Sequence, residues 1–167
     1  MRNLKVIMHF KNTVNEKKIL RKIKIDNETY LWKRLHLHLT NYEYSTCVEK
    51  VVIYLEGYKK SPLQLSFREE DNLTLKSDVK KEKWRVGYPD DGVIWLYKYK
   101  PRLPNNKTYP VNEQQTDEIN LNRPAVIAEL IRYFLHNGWK PKESIRPYII
   151  EDALRFLEII TLPKGIT

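Results

Sequence analysis

The chain has 167 residues, 41% hydrophobic and 31% charged, with a net charge of +9. That length buries a core without staples, so one domain spanning 1–167 is expected, with any subdivision falling near the polar stretch 68–83. A single cysteine, Cys47, excludes an intrachain disulfide, and the absence of a long apolar run excludes a hydrophobic membrane-spanning helix.

The excess charge is uneven. Residues 1–100 hold 21 Lys/Arg against 13 Asp/Glu, whereas 101–167 hold 9 against 8. The first 25 residues alone contain Arg2, Lys5, Lys11, Lys17, Lys18, Arg21, Lys22 and Lys24, opposed only by Glu16. Such a segment attracts acidic proteins, nucleic acid or an anionic surface, and equally serves as a lysine-rich sheet edge that discourages aggregation. The apolar stretch Val6–Met8 is cut off by His9 and Lys11, too soon for a signal-peptide core. A cytoplasmic location is therefore expected.

In chain order, Leu4, Val6, Met8 and Phe10, and then Ile19, Arg21, Ile23 and Ile25, alternate with polar residues as half-buried strands do. Residues 31–39 read as a strand with Leu35, Leu37 and Leu39 toward the core. Val48–Tyr58 is rich in β-branched and aromatic residues, and Lys59-Lys60-Ser61-Pro62 is expected to turn it into a strand through Leu63, Leu65 and Phe67. Residues 68–83 read as a connection. Pro89-Asp90-Asp91-Gly92 then closes a hairpin between Trp84–Tyr88 and Val93–Tyr97, with Gly92 supplying a positive φ.

Residues 101–121 contain three prolines and several asparagines and read as a long loop. Asn122 is placed to cap a helix with Pro124 in its first turn, Ile127, Leu130, Ile131, Phe134 and Leu135 on one face, and Asn137-Gly138 at its end. After a short extended piece, Pro147-Tyr148-Ile149-Ile150, a second helix is expected over Glu151–Ile160. The fold class follows as α+β: an antiparallel sheet of about five to seven strands packed by two C-terminal helices.

Candidate chemistry is sparse. His36 and His38, two apart on a strand, project from one face and are the weak metal candidates. No third ligand stands at a familiar spacing, so no metal or other cofactor is expected. Asp90 and Asp91 read as turn residues and Cys47 as a buried thiol. The five glycines form no phosphate-binding loop. Tyr97-Lys98-Tyr99-Lys100 would place two tyrosines on one strand face and two lysines on the other.

The segment Ile119–Ile150, with its helix after Asn122, then Gly138-Trp139-Lys140-Pro141 and Pro147-Tyr148-Ile149, resembles small uncharacterised bacterial proteins built as hairpin, capped helix, Gly-Trp-x-Pro and short strand. Proteins of that kind encoded among toxin–immunity genes imply protein binding and not catalysis. The leading expectation is a non-enzymatic bacterial cytosolic interaction protein, immunity-like, that binds an acidic protein through Lys17, Lys18, Arg21, Lys22, Lys24, Tyr97 and Tyr99. The alternatives are a nucleic-acid-binding module using the same basic strands and a small metal-dependent hydrolase in which His36 or His38 meets carboxylates in a pocket.

Overall fold

A computed structural model describes residues 20–40, 45–68, 74–77, 82–98 and 117–157. The expected strand Leu4–Phe10, Lys17, Lys18, Tyr99, most of the 101–121 loop and residues 158–160 lie outside them. Five strands form the first sheet in the order β1-β2-β3-β4-β9: β1 (Arg21–Ile25), β2 (Glu28–Thr40), β3 (Ser45–Leu55), β4 (Tyr58–Arg68) and β9 (Tyr148–Ile150). The second sheet runs β5-β6-β7-β8: β5 (Thr74–Ser77), β6 (Glu82–Asp90), β7 (Val93–Lys98) and β8 (Asp117–Asn120). Every pairing is antiparallel except that of β9, which lies parallel to β4.

This overturns the α+β expectation. The described chain is mostly β, with two sheets and a single α-helix, α1 (Pro124–His136); Ala153–Phe156 is one 3₁₀ turn. Strands β5 and β8 escaped notice because each has only four residues, too few to establish a period, whereas β9 falls on the expected short extended piece. The second-helix start fails locally: Asp152 makes no side-chain cap, and the preceding residues are held extended against β4.

Tight turns set the registers. Asp26 and Asn27, with φ of 47° and 67°, join β1 to β2, and Asp91 and Gly92, with φ of 47° and 80°, join β6 to β7. Both are two-residue loops with left-handed centres, whose twist matches the flanking strands. The β3–β4 connection falls at Glu56–Gly57, not at the expected Lys59–Pro62. Pro62 is accommodated inside β4 because the ladder is irregular where β3 shifts register between Ile53 and Leu55.

Trp32, Val51, Ile53, Leu63, Leu65 and Phe67 of the first sheet meet Ile94, Leu96 and Ile119 of the second in one buried cluster with Ile127, Leu130, Ile131 and Phe134 of α1. Trp139 anchors the helix end: it is buried against Tyr30 and donates its indole N–H to the Ser61 carbonyl at 3.0 Å. No helix among the described residues is long and apolar enough to cross a membrane.

Candidate functional site

The β2–β3 register decides which side chains can act together. Arg34 pairs with Val51, His36 with Glu49 and His38 with Cys47, and cross-strand partners project from the same face. Trp32 is fully buried on that face, so Arg34, His36 and His38 continue the core side of β2 toward its open end. The expected assignment of Leu35, Leu37 and Leu39 to the core is thus inverted for the described Leu35 and Leu37. The polar row is tolerated there because its members satisfy one another.

Glu49 is the centre of that satisfaction. It is wholly buried, with one oxygen accepting from Arg34 Nη1 at 2.7 Å and the other from His36 Nδ1 at 2.5 Å. A buried carboxylate is retained only when its lone pairs are met this way. Arg34 also donates through Nη2 to Asp91 Oδ1 and through Nε to Asn122 Oδ1, each at 3.0 Å. Burial alone would loosen the guanidinium's proton. The hydrogen bond and charge of Glu49, followed by those of Asp91, outweigh burial and hold its pKa above the ordinary value.

Asn122 is therefore not the helix cap. Its side chain accepts from Arg34 and donates to the Asp91 carbonyl at 3.2 Å, while Arg123 occupies the cap position without a side-chain bond. Arg34 thus ties β2 to the β6–β7 turn and to the entry of α1. Gly92 makes room for it: a methyl there would stand 2.6 Å from Arg34 Cδ and 2.6 Å from Asn122 Nδ2, at a φ of +80°. Gly92→Ala is expected to cost about 2–4 kcal/mol, strain and displaced contacts together, measured by urea unfolding; a loss under about 1 kcal/mol would contradict this packing.

His38 stands beside its cross-strand partner. Its Nδ1 is 3.4 Å from Cys47 Sγ, and its ring meets that of His36 edge to face with centroids 4.5 Å apart. The third neighbour missing from the sequence spacing is supplied by the strand pairing: Cys47 is nine residues on in sequence but opposite in the sheet.

The opposite face of the first sheet is rich in lysine. By the same register, Lys22 and Lys24 of β1, Leu31, Lys33, Leu35 and Leu37 of β2, and Val48, Lys50, Val52 and Tyr54 of β3 share it. Lys22 pairs with Glu56 at 3.0 Å, whereas Lys24, Lys33 and Lys50 make no ion pair among the described residues. Leu20, Leu31, Lys33, Tyr54 and Lys59 line a groove of about 450 Å³. Arg21 points the other way, its guanidinium 4.8 Å over the Trp32 ring and donating to the Asn122 carbonyl. Tyr97 is half-buried on β7 in the second sheet, so the structure does not bring it together with Lys22 and Lys24. No protein-family model, curated protein or solved structure matches this chain.

Proposed function

We propose that this protein is a non-enzymatic interaction protein that binds an acidic, partly apolar protein segment on the lysine-bearing face of its first sheet. The carrying observation is the segregation of Lys24, Lys33 and Lys50, without carboxylate partners among the described residues, onto the face that also holds Leu31, Leu35, Leu37 and Tyr54. Unpaired like charges on one sheet face raise the potential there and steer an oppositely charged partner. The aliphatic content favours a protein over nucleic acid, because single-strand binding draws on successive stacking aromatics and Tyr54 is the one aromatic in this set. A cytoplasmic, immunity-like setting is part of the same proposal.

The test is fluorescence anisotropy with a labelled peptide of alternating glutamate and leucine, beside labelled single-stranded DNA and RNA, at near-physiological salt. The acidic peptide is expected to bind, and Lys33→Glu/Lys50→Glu to weaken it by about tenfold or more while Lys140→Glu, remote from this face, leaves it unchanged. Peptide binding indifferent to the reversal would overturn the assignment. Tighter binding of either nucleic acid that depends on the same two lysines would replace it with the nucleic-acid reading.

A further inference from the structure

We infer that His36, His38 and Cys47 form a binding site for a single zinc ion, independent of the lysine-bearing face. The three side chains come from adjacent strands and project from one side of the sheet. One ring nitrogen from each histidine and the Cys47 sulfur all lie within 4.8 Å of one another. Two imidazoles and a thiolate are the borderline-soft donor set that suits zinc, whose bonds of about 2.0–2.3 Å would draw these atoms closer together by side-chain rotation.

What distinguishes this cluster from a chance meeting of surface histidines is the layer behind it. A carboxylate oxygen only accepts, so the proton in the His36–Glu49 bond sits on Nδ1, which makes Nε2 the nitrogen available to a metal ion. Glu49 is itself fixed by Arg34, and Arg34 by Asp91 and Asn122. Carboxylate–histidine–metal relays of this kind orient the imidazole and raise its basicity as a ligand. Here the relay is buried at the carboxylate and open at the other end: Glu49 is inaccessible, Cys47 half-buried and His38 exposed. An ion therefore enters from solvent onto a ligand that the interior has already aimed.

Among the described residues the cluster supplies three protein ligands, one short of the four that closed structural zinc centres take.

The site is tested by titrating the purified, reduced protein with Co(II) and then displacing it with Zn(II) against a chromophoric chelator. One equivalent is expected to bind, with a thiolate-to-cobalt charge-transfer band in the near ultraviolet and visible bands of a four-coordinate ion. Cys47→Ser should abolish the charge-transfer band, and His38→Ala, at an exposed position, should weaken zinc binding by about tenfold or more. Circular dichroism checks that each variant remains folded. A cobalt spectrum without the thiolate band, or zinc binding unchanged in the folded His38→Ala/Cys47→Ser double variant, overturns the assignment.

Discussion

Arg34→Met is expected to lower the unfolding free energy by about 3–5 kcal/mol, because it strands a fully buried carboxylate without its cation. Glu49 would retain only His36, while Asp91 and Asn122 would each lose a donated hydrogen bond. The stem of methionine fills much of the arginine's aliphatic volume, so the loss reports charge and hydrogen bonding more than a cavity. Arg34→Met/Glu49→Leu separates these causes. Removing both charges abolishes the desolvation cost, and the double variant should recover much of the stability lost by the single one. Urea unfolding of the three proteins measures this; a single variant within about 1 kcal/mol of the parent would show that Arg34 does not hold the sheets together.

Trp139→Ala should produce a loss of similar size, about 3–5 kcal/mol, by a different route. Here the cost is cavity and transfer, since the indole is buried beside Tyr30 at a centroid distance of 6.0 Å. Its position is set by the helix end: Gly138 takes a φ of +106°, and the Trp139 amide donates to the Phe134 carbonyl at 2.8 Å. Trp139→Phe keeps most of the apolar volume but deprives the Ser61 carbonyl of its donor, which should cost about 1–3 kcal/mol. The ordering of the two variants in thermal and urea unfolding is the check. Equal losses would mean that the indole N–H matters more than the packing.

The local part of this architecture was legible because it follows from residues close in sequence. The β6–β7 hairpin could be read from Asp91-Gly92 and flanking β-formers, and α1 from Pro124, its apolar stripe and Gly138. The face of β2 was not, because hydrophobicity pointed the wrong way: Leu35 and Leu37 are more apolar than Arg34 and His36. The inversion rests on partners 88 residues away at Asn122 and 57 away at Asp91, which no periodicity contains. Glu49 and Cys47 lay closer, yet recognising them needed the β2–β3 register, and the masking of a ligand pair as a nine-residue gap follows from that geometry. His36 and His38 were singled out correctly as neighbours on one face; their third companion became visible only once the strands were paired.

The parallel strand carries a consequence for synthesis. Strands β1 to β4 are joined by short or near-neighbour connections and can zip together as they leave the ribosome, but Leu63 of β4 must wait for Tyr148, 85 residues later, before that side of its strand is paired. At about 5–20 residues per second, translation leaves this ladder unfilled for on the order of 4–17 s. During that interval the nascent sheet presents an open flank beside Leu63 and Leu65, the kind of edge that recruits a neighbouring chain or a chaperone. Residues 148–150 thus act as a seal on strands built long before them.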